Sequence, residues 1–153
     1  MISSNRGILR VVLDTDVVVA AFRSDRGASR QLLLSALDGK FEALISVPLM
    51  VEYEAVLTRP EHLNASGLSA DEVNAILDAY AKVATPVRLR FLWRPRLKVP
   101  ADEMVLETAV NGAADWLVTF NERHLAAAAR EFGVRVSRPR DLWTEIRRRD
   151  EKE

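Results

Sequence analysis

Two aspartates follow directly on the first apolar stretch of the chain. The stretch Val11-Val12-Leu13 is apolar at consecutive positions, which is typical of a strand buried on both faces of a parallel sheet. Asp14 and Asp16 come immediately after it. Ligands of open α/β sheets bind at the carboxyl ends of the strands, so both aspartates are candidates for site chemistry. The alternative is that they are turn residues, with Thr15 or Asp16 capping the helix that is predicted to follow.

Polar residues also follow a second predicted strand. Residues 116–119 form a short apolar run, and Asn121 lies two residues beyond it. If the two strands are neighbours in a parallel sheet, Asp14 and Asn121 project toward one crevice. The helix before this strand begins with Asp102 and Glu103, so its N-terminus could face the same crevice. The alternative is that these two acids only interact with the helix dipole.

Carboxylates gathered in one cleft repel one another unless a cation binds between them. Oxygen ligands without paired His or Cys suit Mg²⁺ or Mn²⁺ better than Zn²⁺. The chain has no cysteine, and His62 and His124 lack ligand spacing; His124 is expected to be a partly exposed residue at a helix start. A metal in such a cleft would support phosphodiester hydrolysis. The sequence has neither a Gly-rich phosphate loop nor a G-x-S-x-G nucleophile motif.

Two further acids, Glu52 and Glu54, lie in the helix predicted at about 47–57. Tyr53 belongs to the apolar stripe of this helix and is predicted to point into the core. The two glutamates then flank that stripe on opposite sides. Helix geometry alone leaves open which of them, if either, is functional.

A basic segment with interleaved aromatic residues covers residues 87–98. It contains Phe91 and Trp93 among five cations. Such a segment could bind a single nucleic-acid strand by contacting phosphates and stacking on bases. The alternative is an edge strand, since edge strands carry charges that block association. The five cations are Arg88, Arg90, Arg94, Arg96 and Lys98.

The composition is typical of one globular domain of 153 residues, with 48% hydrophobic and 29% charged residues. The 22 basic residues balance the 22 acidic residues, which argues against a protein held to nucleic acid by bulk charge, although a local patch is compatible with it. The N-terminus has no signal-peptide pattern, and no apolar run approaches 18 residues. We therefore expect a cytoplasmic protein without membrane segments.

Predicted strands and helices alternate, which indicates an α/β fold with a parallel sheet, helices on both faces and right-handed crossovers. Ser46 is a predicted N-cap, Ser69 and Glu72 form a predicted capping box, and Gly112 is a predicted C-cap. Residues 61–68 are expected to be a loop or a broken helix. The strands are predicted at 9–13, 41–45, 116–119 and 134–136, and the helices at about 16–22, 28–37, 47–57, 70–84, 100–111, 123–132 and 139–149.

The segments that carry the acids resemble the motifs of the PIN-domain nucleases. Residues 12–22, Val-Leu-Asp-Thr-Asp-Val-Val-Val-Ala-Ala-Phe, are similar to the family's opening strand with its Asp-Thr-Asn. Residues 46–59 resemble the second motif, whose acid aligns with Glu52. Residues 100–119 resemble the third and fourth motifs, with Asp102 at the third acid position.

This resemblance extends from residue 9 to about 143, and it implies a single PIN-like domain over residues 1–153. The implied fold is a three-layer α/β/α sandwich with a central, mostly parallel sheet. The implied activity is that of a Mg²⁺- or Mn²⁺-dependent ribonuclease, with Asp14, Glu52 and Asp102 as its acidic metal-site residues. The chain most resembles the branch of VapC-type toxins, which implies an RNA substrate, an antitoxin that blocks the site, and a homodimer.

The chain departs from the family's pattern at two positions. Asp16 stands where Asn is usual, and Asn121 stands at the fourth acid position, where Asn also occurs in relatives. We hypothesise that Asp16 partly replaces the missing acid as a metal ligand, while Asn121 keeps its place among the catalytic residues. Glu103 is a further candidate that would hold water or the metal from a distance.

Two other functions are compatible with this sequence. A catalytically weak PIN-like module that binds RNA or protein is favoured by Asn121 and by the zero net charge, whereas the three intact acids favour the nuclease. A phosphoryl-handling domain, such as a receiver or a phosphatase, also carries acids at strand ends. It would need a catalytic Lys or Thr there, and Thr119 is present but no Lys lies near such a strand end.

Overall fold

The computed structural model describes residues 7–90 and 100–152 of the chain. Within these ranges strands and helices alternate as the sequence predicts. The elements are β1 (Arg10–Leu13), α1 (Thr15–Arg23), α2 (Ala28–Leu37), β2 (Glu42–Ile45), α3 (Val47–Leu57), α4 (Pro60–Ser66), α5 (Ala70–Val83), β3 (Thr85–Pro86), α6 (Pro100–Asn111), β4 (Trp116–Val118), α7 (Glu122–Arg130), β5 (Arg135–Ser137) and α8 (Pro139–Lys152).

All the strands in these ranges form one parallel sheet in the order β3-β2-β1-β4-β5, with β1 at its centre. Leu13 at the end of β1 pairs with Val118 at the end of β4. The predicted neighbours are thus confirmed, and the residues that follow these two strands emerge side by side. The helices flank the sheet, which confirms the three-layer α/β/α fold.

The central strands are apolar at consecutive positions because helices cover both of their faces. Val11 and Val12 of β1 are fully buried, as are Leu117 and Val118 of β4. One cluster of buried apolar side chains joins the sheet to the helices. No helix in the described ranges is long and apolar enough to cross a bilayer.

The predicted caps of α3 and α5 are confirmed. Ser46 Oγ accepts a hydrogen bond from the backbone N–H of Leu49 at 3.3 Å. Ser69 and Glu72 form a reciprocal capping box, in which each side chain accepts from the other residue's backbone N–H, at 3.1 Å and 2.9 Å. These caps satisfy N–H groups that the first turn of a helix leaves without a partner.

The predicted cap of α1 is wrong, because Asp14 takes that position rather than Thr15 or Asp16. Asp14 has extended dihedral angles (φ −66°, ψ 155°), and its carboxylate accepts from the backbone N–H of Thr15. The helix therefore begins directly after Asp14, one residue earlier than predicted, and Asp16 lies inside its first turn. The first aspartate is thus held rigidly where the strand becomes a helix.

Where a loop or a broken helix was predicted over residues 61–68, the chain forms the short helix α4, which ends at Ser66 and is followed by Gly67, whose left-handed φ of 76° suits glycine. The edge of the sheet on this side is the two-residue β3, which precedes the basic segment, and residues 87–90 lie in no strand, so the alternative of an edge strand is not borne out at these four residues. The rest of this basic segment falls outside the described residues, and its role in nucleic-acid binding stays a prediction.

Gly112 follows α6 as predicted, but the left-handed residue at this turn is Ala113, with φ 51°. Gly112 provides space instead, since a Cβ there would lie 2.9 Å from both Leu44 Cδ1 and Val87 Cγ2. We expect Gly112→Ala to lower the free energy of unfolding by about 1–3 kcal/mol, because the added methyl group must displace packed neighbours. Urea denaturation measures this change, with Gly7→Ala as the control, since a Cβ at Gly7 would meet no atom within 4 Å. Equal stability of the two variants would contradict the packing argument.

Candidate active site

Asp14 lies at the junction of β1 and α1 and is 6% exposed. The hydroxyl of Thr119 donates to its Oδ2 at 2.7 Å, and the backbone N–H of Thr15 donates to its Oδ1 at 2.8 Å. The backbone N–H of Asp14 donates to the carbonyl of Val118 at 2.9 Å. This carboxylate is therefore fixed between the ends of the two central strands.

The pKa of the Asp14 carboxyl is raised from 3.8 to about 7, first by burial and then by the negative charge of Asp16. The charge of Asp102 raises this pKa further by a smaller amount. The hydrogen bonds from Thr119 and Thr15 lower it, because they stabilise the ionised form. Asp14 is thus only partly ionised at neutral pH, and a nearby cation would favour its charged form.

Asp16 faces the segment that follows β4. Its Oδ2 accepts hydrogen bonds from the backbone N–H of Phe120 at 3.1 Å and from the side-chain amide of Asn121 at 3.3 Å. Its Oδ1 is buried without a hydrogen-bond partner among the residues described. Burial raises the pKa of this carboxyl, and the charge of Asp102 contributes. A buried carboxylate oxygen of this kind is costly unless it is protonated or binds a cation.

Asp102 reaches the same edge of the sheet from the first turn of α6 and is 9% exposed. Burial raises the pKa of its carboxyl, and His124 lowers it. His124 Nδ1 lies 3.9 Å from Asp102 Oδ2, although most of the His124 side chain is exposed. Asp102 affects the pKa of both other aspartates, so the three carboxyls share one electrostatic environment.

Asn121 occupies the N-cap position of α7, but its side chain makes no capping hydrogen bond. Its amide donates to Asp16, and its backbone N–H donates to Thr119 Oγ1 at 2.9 Å. The structure thus turns Asn121 toward the aspartates rather than toward its own helix.

Glu52 and Glu54 differ in their exposure on α3, where Glu52 is half-buried and Glu54 is exposed. Tyr53 between them is fully buried, as predicted, and its hydroxyl donates to the carbonyl of Leu13. This contact attaches α3 to the residue before Asp14. In the part of the chain that the structure describes, Glu52 does not form a metal-ligand group with the aspartates.

Sequence reasoning did not assign two polar residues to this site. Thr119 is fully buried and contacts both Asp14 and Asn121. A threonine at the end of a buried strand, just before the polar turn, was the available signal. His124 is a largely exposed residue near the start of α7, as predicted, and it also lies beside Asp102. Glu103, the further candidate, follows Asp102 in α6 and is half-buried.

Thr119→Val tests how much the Thr119 hydroxyl contributes to the stability of the protein and to the pKa of Asp14. Valine keeps the shape of the side chain but removes the donor to Asp14 and the acceptor for the Asn121 N–H. We expect the free energy of unfolding to fall by about 1–3 kcal/mol, and the pKa of Asp14 to rise because its ionised form loses a hydrogen bond. NMR titration of the Asp14 carboxyl measures the second effect. Thr144→Val, at an exposed position of α8, is the control, and an unchanged Asp14 pKa in Thr119→Val would contradict this role.

The chemistry of these residues fits a hard divalent cation, although they do not form a compact ligand group. Carboxylate oxygens suit Mg²⁺ or Mn²⁺, the pKa values of all three aspartates are raised, and Asp16 Oδ1 is buried without a partner in the described residues. Within those same residues, no three His, Asp or Glu side chains are grouped closely enough to hold a metal ion. A cation binding here would have to draw the carboxylates together.

Comparison with known families agrees with this geometry. The sequence model of the PIN domain matches residues 10–123, and the chain belongs to the PIN domain family. The matched range contains all three aspartates, Glu52 and Asn121. No curated protein matches the chain. PIN domains are typically nucleases, so the fold is of a nuclease type and suggests nucleic-acid binding.

Proposed function

We propose that this protein is a metal-dependent ribonuclease that hydrolyses phosphodiester bonds of RNA at the site around Asp14. The observation that carries the proposal is the meeting of three carboxyls, Asp14, Asp16 and Asp102, at the carboxyl ends of β1 and β4, where burial and the neighbouring charges raise the pKa of Asp14. Buried carboxyls that repel one another do not favour folding, so their presence at the end of the central strands is typical of a functional site.

Asp14, Asp16 and Asp102 would hold Mg²⁺ or Mn²⁺, with Glu52 as a further ligand from α3. A bound metal supplies three effects: it activates water, neutralises the scissile phosphate and stabilises the leaving oxygen. A bound ion would also offset the negative charge of the carboxylates, which alone would repel a phosphate.

The polar residues next to these carboxylates position them for metal binding. Thr119 orients Asp14 through the hydrogen bond to Oδ2. Asn121 donates to Asp16 Oδ2 and leaves Oδ1 as the oxygen available to an ion. The exposed ring of His124, beside Asp102, can donate a hydrogen bond to a phosphate oxygen, and Glu103 would hold a water molecule at the rim.

Asp16→Asn tests whether this aspartate replaces the family's fourth acid. We expect Mn²⁺ affinity to fall about 10-fold or more, because a charged oxygen ligand is replaced by a neutral amide. Isothermal titration calorimetry with Mn²⁺ measures the change, and Asp25→Asn, in the exposed loop between α1 and α2, is the control. Unchanged affinity in Asp16→Asn would remove Asp16 from the ligand set.

We further propose that the ribonuclease is the toxin of a toxin–antitoxin pair, acts as a homodimer and is blocked by an antitoxin protein. The resemblance of its motif segments to VapC-type toxins supports this role. Induced expression of the wild type in a bacterial culture should then arrest growth, whereas Asp14→Asn should permit growth at the same expression level. Normal growth with active wild-type enzyme would argue against a toxin.

A catalytically weak PIN-like module that binds RNA or protein is the second candidate. Two observations favour it: Asn121 stands in place of an acid, and the described residues contain no compact three-ligand group. The deciding experiment is cleavage of a mixed single-stranded RNA pool in Mg²⁺, in Mn²⁺ and in chelator. Cleavage that requires both the metal and Asp14 supports the ribonuclease. No cleavage by folded wild type, together with equal Mn²⁺ affinity of wild type and Asp14→Asn, supports the binding module.

A further inference from the structure

A cavity of about 510 Å³ lies between the end of α1, the start of α2 and the junction of β5 with α8. Ala20 and Phe120 belong to its lining. Ala20 lies four residues after Asp16 in α1, so the two share one face of the helix and are about 6 Å apart along its axis. Phe120 donates its backbone N–H to Asp16. The cavity therefore lies next to the candidate active site.

Phe120 is 42% exposed, although it directly follows the fully buried Thr119. It does not belong to the cluster of buried apolar residues that forms the core. One exposed aromatic residue is ordinary by itself. This one is fixed by a backbone hydrogen bond to a site aspartate and lines a cavity, so it offers a stacking surface for a flat ring beside the acids.

Two arginines, Arg138 and Arg140, lie on the other side of the cavity. Glu122 accepts from Arg138 Nε at 2.9 Å, which orients the guanidinium group and leaves its other N–H groups available. Arg140 is exposed and forms no ion pair with any residue in the described ranges. Asp141 also lines the cavity and offsets one of the two positive charges. Glu122 and Asp141 together balance the two arginines, so what the lining offers a phosphate is the remaining guanidinium N–H groups of Arg138 and Arg140.

We propose that this cavity binds one unpaired nucleotide of the RNA substrate next to the cleaved bond. Its base stacks on Phe120, and its phosphate is contacted by Arg138 and Arg140. The proposal rests on the ribonuclease function proposed above and adds to it the residues that hold one nucleotide of the substrate. A base can enter the cavity only when it is not stacked in a duplex, and stacking tolerates every base, so the cavity should accept any unpaired base.

The test uses a short single-stranded RNA that contains a mapped cut site, with an abasic nucleotide placed at each position in turn. For the wild type, we expect the KM to rise about 10-fold when one position beside the cut is abasic. Phe120→Ala should raise the KM for intact RNA about 10-fold and should show no further rise with that abasic substrate. Leu34→Ala, which also truncates an exposed apolar side chain, is the control and should behave as the wild type.

Arg140→Gln tests the phosphate contact separately. We expect the slope of log affinity against log salt concentration to fall by about 0.7, the value for one phosphate contact on a single strand. Arg130→Gln, at an exposed position of α7, should leave this slope unchanged. A slope that Arg140→Gln does not alter would exclude a contact between Arg140 and the RNA phosphate.

Failure of this proposal can be distinguished from failure of the ribonuclease function. Cleavage by Phe120→Ala with an unchanged KM, or with the same further rise in KM at that abasic position as the wild type, overturns the nucleotide cavity but leaves the ribonuclease intact. If the wild type cleaves no RNA, the same oligonucleotide is titrated in chelator by fluorescence anisotropy. A 10-fold weaker affinity of Phe120→Ala would then support the cavity, and equal affinity of the two proteins would overturn it.

Discussion

Asp14→Asn is expected to slow RNA cleavage at least about 100-fold while making the metal-free protein more stable at pH 8. Activity falls because the amide has no charge with which to hold a divalent metal. Stability rises because the wild type must keep a buried carboxyl ionised beside Asp16 and Asp102. We expect a gain of about 2 kcal/mol, since each pKa unit corresponds to about 1.4 kcal/mol and the amide loses part of the hydrogen bonding with Thr119.

The pH dependence of this gain follows from the raised pKa of Asp14. Below pH 3.8 the carboxyl is protonated in both the folded and the unfolded state, and the repulsion is absent. Between pH 3.8 and about 7 the unfolded state ionises first, so the wild type loses stability relative to the variant. Above about pH 7 the difference is constant. Urea denaturation in chelator at pH 4.5, 6 and 8 measures this trend.

Metal affinity of the wild type should increase as the pH rises, whereas the stability of the metal-free wild type should decrease. Apparent Mn²⁺ affinity should increase with pH up to about 7 and then level off, because the ion competes with the proton on Asp14. Asp25→Asn, which changes an exposed aspartate in a loop, is the control for both stability and cleavage. Cleavage that survives in Asp14→Asn would contradict the proposed function, and lower stability of this variant at pH 8 would contradict the electrostatic argument.

Glu52→Gln is expected to reduce cleavage by about 10- to 100-fold, whereas Glu54→Gln should leave it unchanged. The two substitutions are chemically identical and lie two positions apart on α3. Glu52 is half-buried, and Glu54 is exposed to solvent. Tyr53, which donates to the carbonyl of Leu13, attaches this helix to the strand that presents Asp14. Only Glu52 is therefore expected to approach the metal.

Single-turnover cleavage in Mn²⁺, with enzyme in excess over RNA, measures the effect of each substitution on the cleavage rate. Thermal unfolding of both variants serves as the control, because neither substitution removes a contact of the core. Equal cleavage by the two variants would show that the site works without an acid from α3. A loss with Glu54→Gln alone would reverse the assignment that the family resemblance makes.

Most of the sheet and its helices could be predicted from the sequence, because their signals are local. Consecutive apolar residues in Val11-Val12-Leu13 are enough to predict a strand covered on both faces. The capping box of Ser69 and Glu72 predicts the start of α5 because both partners lie within one turn. The two-residue β3 could not be predicted in this way, since its strand geometry depends on pairing with β2 rather than on its own residues.

The residues of the candidate site also include some with local sequence signals and others whose roles depend on tertiary contacts. Asp14, Asp102 and Asn121 could be chosen from the sequence because acids and amides at strand ends and helix starts have local signatures. The roles of Thr119 and His124 depend on contacts with Asp14 and Asp102, which lie 105 and 22 residues away along the chain. Such contacts exist only once β1, β4, α6 and α7 have packed together.

The sequence by itself determined the alternation of strands and helices, the buried strands and the identity of the candidate acids, because periodicity and residue type act over a few neighbouring positions. Only the tertiary structure decided that Thr119 fixes the carboxylate of Asp14 and that Phe120 lines a cavity beside Asp16. The physical reason is that burial, pKa and hydrogen-bond partners are set by residues from distant parts of the chain, which the parallel pairing of β1 with β4 brings to one edge of the sheet.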